Sequence, residues 1–319
     1  RDGGMEADAV RAHVDGGTRL IAVSAIQTAS GHRSDLSALS ALARGAGGWL
    51  FVDAPQAAGA VDLSAEIAHV DFLSTSDHKF LLNAARGMGY LYIRPEIQER
   101  LLPLCAGWRA GAVPFDSFFG PRMELSATAS RFDQSISWLA AIGDEACLDL
   151  LHAIGPAAIE ARVMSLAATL RADLAERRIP DLAMDAARHS HIVAVPLGDR
   201  DPATVLATLR ARAVTCSVRD GNLRIAPHFY NDETDIAKAV GALAEALRVK
   251  ITGRGQAGER CAGTRCEVRR ARAAWHRRGK EPHGTTPAPP RAVMRGGRKS
   301  ASPGRCRPLA ARSAACTTP

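Results

Sequence analysis

The chain has 319 residues, of which 46% are hydrophobic, and a formal net charge of +8. That length supports one large or two ordinary domains with a real core, and no apolar run approaches the ~18–20 residues of a membrane helix, so no membrane partner is expected. The charge is uneven: residues 251–319 hold 16 Lys and Arg against 3 Asp and Glu, leaving 25 against 30 elsewhere, so the basicity belongs to a tail and a nucleic-acid partner is not expected beyond unspecific contact through it.

In chain order, Arg19–Ser24 is a short apolar run suited to a strand buried on both faces. Asp35–Arg44 has helical spacing, with Leu36, Leu39, Leu42 and Ala43 on one side. Trp49–Val52, Asp71–Ser74 and Met88–Ile93 read as three further strands, and Pro95 opens another helix. Strand and helix pieces alternating at this spacing predict an α/β layer structure with a mostly parallel sheet.

Residues 108–135 are rich in Gly, Pro and aromatics without a period, as expected of a long functional loop. Helices follow at Ile136–Ala153 and Pro156–Arg177. Ser190–Val195 reads as a strand and Asp201–Arg212 as a helix. Val214–Val218 and Leu223–Ile225 flank Asp220-Gly221, a type I′ hairpin signal. A last helix is expected from near Asn231, whose side chain can cap it, to Leu247. The expected division is residues 1–107 as a large α/β part, 108–248 as loop, helices and a small α+β domain, and 249–319 as a basic disordered tail. Of the 7 cysteines, four lie in that tail. Their irregular spacing is a poor disulfide framework and an equally poor zinc site, Cys261 and Cys266 included, so no metal and a reducing, cytoplasmic setting are expected.

The chemistry concentrates in Asp53-Ala54-Pro55-Gln56 and Ser76-Asp77-His78-Lys79. Asp53 ends one buried strand and Lys79 follows the next, and in open α/β sheets ligands bind at that carboxyl edge. A lysine amine can form a Schiff base with pyridoxal 5′-phosphate while a carboxylate holds the pyridine nitrogen protonated. Burial is expected to lower the lysine's pKa and free the amine.

These segments, together with "VSAIQTASGHRSDL" and "LRIAPHFYND", resemble the class V aminotransferase family of fold-type I pyridoxal-phosphate enzymes, which includes cysteine desulfurases and isopenicillin N epimerase-like proteins. The resemblance covers residues 15–247. It implies that Lys79 carries the cofactor, Asp53 pairs with the pyridine nitrogen, Gln56 meets the ring hydroxyl, and Ser76 and His78 hold the phosphate. It also implies that Arg224 clamps the α-carboxylate of an amino-acid substrate, as a planar guanidinium can, and that the enzyme is a homodimer.

The resemblance has departures. Thr28 stands where many relatives have an asparagine near the ring. Cys216 lies in "AVTCSVRDGNLRI", without the histidines and glycine-rich loop of a desulfurase nucleophile, and reads as a core residue. Family members carry a long segment before the one matching Arg19, so the chain reads as N-terminally truncated. The leading expectation is transamination or epimerisation at Cα. The alternatives are a desulfurase or lyase, and a truncated non-catalytic homologue.

Overall fold

The computed structural model describes residues 4–119 and 123–248. They belong to one compact unit, Arg1–Thr252. The expectations for the tail, its cysteines and its polyanion contacts lie outside the described residues.

Three parallel strands, β1 (Leu20–Ser24), β2 (Trp49–Asp53) and β3 (Phe72–Ser76), are followed by an antiparallel edge strand, β4 (Gly89–Ile93), in the order β1-β2-β3-β4. The register sets Ser24 opposite Asp53 and Asp53 opposite Ser74. Side chains alternate across a strand, and Ile21, Val23, Leu50, Val52 and Leu73 all fall on one buried face. The helix α2 (Leu36–Gly45) closes that face with Leu36, Leu39 and Ala43. Asp35 starts this helix, its carboxylate accepting from Ala38 N at 2.9 Å.

The opposite face corrects the expectation that β1 is buried on both sides. Leu20 and Ala22 are exposed, and no described helix covers them as α2 covers Ile21 and Val23. On this face Phe72 packs edge-on to Trp49 at 5.6 Å and beside Phe51 at 6.4 Å. Below the sheet, buried Asp71 accepts from Leu50 N at 2.8 Å and pairs with Arg94 at 2.8 Å.

The short helix α1 (Ala7–Arg11) and the one-turn α3 (Pro95–Gln98) flank this sheet. The long segment that follows β4 and α3 holds only two 3₁₀ turns, Trp108–Ala110 and Ala129–Phe132, among its described residues. Two helices then meet at Gly155: α4 (Trp138–Ile154) and α5 (Pro156–Glu176), with the expected Pro at its first position. Among the described residues no single helix is long and apolar enough to cross a membrane.

A second sheet, in the order β5-β7-β6, is antiparallel: β5 (Val193–Pro196), β6 (Ser217–Arg219) and β7 (Asn222–Ile225). Asp220 and Gly221 turn with φ of 49° and 78°, the left-handed pair that a type I′ hairpin needs. Its core joins Leu166, Leu170 and Leu174 of α5 to Leu223, to Leu209 of α6 (Pro202–Ala211) and to Leu243 of α7 (Glu233–Arg248). Asp232, not Asn231, caps α7: its Oδ1 accepts from Asp235 N at 2.9 Å. Asn231 instead accepts from His228 N and donates to Asp235, because the chain turns through residues 228–231 before the helix begins.

Candidate active site

The carboxyl ends of β2 and β3 are adjacent, and each delivers part of the expected constellation. Asp53 closes β2 and points into an exposed position, where Ser24 Oγ donates to its Oδ2 at 3.4 Å. The turn after β2 buries Gln56, and its Oε1 accepts from a terminal guanidinium nitrogen of Arg224 at 2.9 Å. That bond spans 168 residues of sequence and brings β7 to the end of the parallel sheet.

Ser76 closes β3. Its hydroxyl is buried and has no hydrogen-bond partner among the described residues. His78 is about one-third exposed and its Nδ1 lies 3.3 Å from Asp77 Oδ1. Lys79 is exposed, which corrects the expectation of a buried amine: the described residues leave the mouth above β3 open. Its backbone is nonetheless fixed. Lys79 O accepts from Leu82 N at 3.1 Å, and Phe80 O accepts from His228 Nε2 at 3.0 Å.

The Phe80 ring meets His191 edge-on at 4.5 Å and His228 at 5.4 Å. Gly59 (φ 88°) passes so close to this segment that a Cβ there would lie 2.3 Å from Phe80 O. His228 also accepts from Phe229 N at Nδ1, so its proton sits on Nε2 and the ring is neutral. Its role here is to anchor the Phe80 backbone.

Electrostatically, Arg224 is the unusual member. It is largely buried, its Nε has no partner, and no carboxylate lies within ion-pair distance of it among the described residues. Burial lowers its pKa, and the nearby charge of Arg219 adds to the effect. A guanidinium held by a neutral amide alone is prepared for an anion. His191 lies beside it, fully buried, with both ring nitrogens unpartnered. Burial, reinforced by Arg224, depresses its pKa to about 3.

Cys216 packs against the core of the second sheet, and burial pushes its thiol up to about 11. That is the opposite of an activated nucleophile. An apolar cavity of about 520 Å³, lined by Val61, Leu81, Leu151 and Ile159 among others, includes none of the six expected site residues. No cluster of metal-ligating side chains occurs among the described residues.

Sequence reasoning missed Asp77, Asn83 and the Tyr90–Asp144 pair behind the Lys79 segment. One signal was present: a carboxylate inside the Ser-x-His-Lys run, directly after a strand, in a place that packing would bury.

A lysine and a carboxylate thus stand at neighbouring strand ends of an α/β sheet, with Arg224 bonded to the turn after the carboxylate. The family model "Aminotransferase class-V" matches residues 1–236, and the chain belongs to that family. Over 244 residues it is 27% identical to the uncharacterized aminotransferase YcbU of Bacillus subtilis, a match covering 76% of this chain and 64% of that protein. The apo structure of a cysteine desulfurase from Thermococcus onnurineus superposes with a TM-score of 0.66 at 23% identity, covering 77% of this chain and 64% of that one. The cystine C-S lyase C-DES, solved with its product cysteine persulfide, gives 0.65 at 22% identity, covering 75% and 64%. The fold is therefore fold-type I, and the chain spans about 64% of the length of these relatives.

Proposed function

We propose that this chain is the greater part of a pyridoxal-phosphate enzyme acting on an amino acid, with Lys79 as the point of covalent attachment. The single observation that carries the reading is Arg224: a buried guanidinium without a carboxylate partner among the described residues, bonded to Gln56 in the turn after Asp53. Its free Nε and the orphaned Ser76 hydroxyl are polar atoms that a carboxylate and a phosphate would satisfy.

In this reading Asp53 holds a pyridine N–H, Gln56 meets the ring hydroxyl, and Ser76 and His78 donate to the phosphate. When bound, the cofactor supplies an electron sink for the bond broken at Cα. Arg224 grips the α-carboxylate and fixes which Cα bond is aligned for cleavage, and the Lys79 Nζ, once free, takes and returns the Cα proton. Transamination or epimerisation is the proposed outcome.

The likeness to desulfurases supports the alternative of a lyase or desulfurase. The raised thiol of Cys216 speaks against that residue as its nucleophile. The partner we propose is a second copy of the chain, which would cover the exposed side chains of Leu104, Phe115, Phe119, Trp138, Leu139 and Ile142. The three free thiols at Cys105, Cys147 and Cys216 support a cytoplasmic setting.

Adding pyridoxal 5′-phosphate to the purified chain is expected to give a visible chromophore that borohydride bleaches and that Lys79→Ala lacks. A wild-type protein that stays colourless with added cofactor would overturn the proposal.

A further inference from the structure

The side chain between Ser76 and the His78-Lys79 pair is the most heavily bonded carboxylate near the site. Asp77 has no solvent exposure. Its Oδ2 accepts from Asn83 Nδ2 at 3.0 Å, Gly87 N at 3.2 Å and Met88 N at 2.8 Å, and its Oδ1 faces His78 Nδ1 at 3.3 Å. Its backbone closes the same loop, because Asp77 N donates to Met88 O at 3.3 Å and Asp77 O accepts from Asn83 N at 3.0 Å. Residues 77–88 are thus a closed loop gathered onto one side chain.

The loop needs such a pin. Leu82 and Arg86 have φ of 70° and 52°, conformations that L side chains rarely adopt. Asn83 carries the restraint onward to α4, its Nδ2 donating also to Ala140 O at 2.9 Å. At Gly87 a Cβ would lie 2.6 Å from Ala140 Cβ, so loop and helix touch at a position that only glycine allows. Behind the carboxylate, Tyr90 Oη donates to Asp144 of α4. The titratable groups around Asp77 are therefore His78, Tyr90 and Asp144, with Lys79 next along the chain.

We infer that Asp77 is a positioning residue that locks loop 77–88 against α4 and fixes His78 with its Nδ1 proton on Asp77 and its Nε2 free for an anion. The inference rests on the proposed role of His78 at a phosphate. With Nδ1–H committed to the carboxylate, Nε2 is the ring nitrogen left to face a phosphate.

Asp77→Asn keeps the shape of the side chain but places an NH₂ group among N–H donors. In the ligand-free chain, amide exchange at Gly87 and Met88 is expected to quicken by about tenfold or more, the effect of losing charge-assisted bonds. The His78 ring resonances, followed by NMR, are expected to shift as the ring loses its fixed orientation, and inorganic phosphate is expected to perturb them less than in the wild type. Unchanged exchange at both amides together with unchanged His78 ring resonances would overturn the inference.

Should Asp77→Asn fail to fold, Asn83→Ala keeps the Asp77 carboxylate with its Gly87 and Met88 bonds and removes one donor to it together with the tie to Ala140 of α4. Faster exchange at residues 85–88 with the His78 ring resonances retained supports the lock, and unchanged exchange refutes it. If exchange responds while neither inorganic phosphate nor pyridoxal 5′-phosphate binds the wild type, the lock stands and the proposed function falls.

Discussion

Arg33 and Arg224 are both substantially buried, and their surroundings differ in the way that separates holding a fold from holding a ligand. Arg33 donates to Glu160 at 2.6 Å and to Glu66 at 2.7 Å, and Glu160 also accepts from Asp62 N at 2.9 Å. Burial works against its charge, but the two glutamates outweigh that and hold its pKa above the ordinary value. Arg224 receives the same penalty, deepened by the charge of Arg219, and among the described residues no carboxylate offsets it. The first arginine ties α5 to the end of the parallel sheet. The second carries an uncompensated cost that binding of a carboxylate would relieve.

Neutralising each arginine tests that contrast. Arg224→Gln is expected to weaken amino-acid binding by about a hundredfold, as loss of a bidentate, charge-assisted pair does. Its thermal stability should stay level or rise, because a buried unpaired charge is removed. Steady-state kinetics or substrate titration beside a melting curve would check both parts, and a large loss of stability with binding intact would reverse the assignment. Arg33→Gln is expected to do the opposite. It should cost about 1–3 kcal/mol of stability, discounted from the fully buried case because the side chain is one-quarter exposed, with cofactor binding retained in the folded fraction.

The smallest effect at neutral pH belongs to His191, whose folded-state pKa of about 3 lies below its ordinary 6.5. Below about pH 6.5 the unfolded chain binds a proton there that the folded chain refuses. Its contribution is therefore fully present above that pH and is lost as pH falls toward 3. His191→Phe should flatten the acid limb of stability against pH, measured by denaturant melts from pH 7 to pH 4. An unaltered limb would mean that His191 is not the buried neutral group described.

The same contrast governs what was legible in the sequence. Short apolar runs between helical segments marked β1, β2 and β3 because each strand supplies residues such as Val23, Val52 and Leu73 to the covered face, and Asp220-Gly221 marked its hairpin because few residue pairs accept two positive φ values. The separation of Asp53 from Lys79 placed both at one sheet edge. Exposure was not legible. Leu20 and Ala22 look like core residues by type, and Lys79 looked destined for burial, yet which face is covered depends on chain far away in sequence. Asp77 was illegible for a related reason. Its worth comes from donors at Asn83, Gly87 and Met88, none of which carries a signal until the loop closes. Arg224 could be assigned only by resemblance, and its lack of a carboxylate partner is a property of three dimensions.

The most direct test follows from the lysine content: within the described residues the chain has two, Lys79 and Lys238. The wild-type protein can be incubated with pyridoxal 5′-phosphate, reduced with borohydride, digested and mapped by mass spectrometry. The account predicts the cofactor's added mass on the peptide containing Lys79 and an unmodified Lys238. An unmodified Lys79, or labelling spread evenly over both lysines, would contradict it.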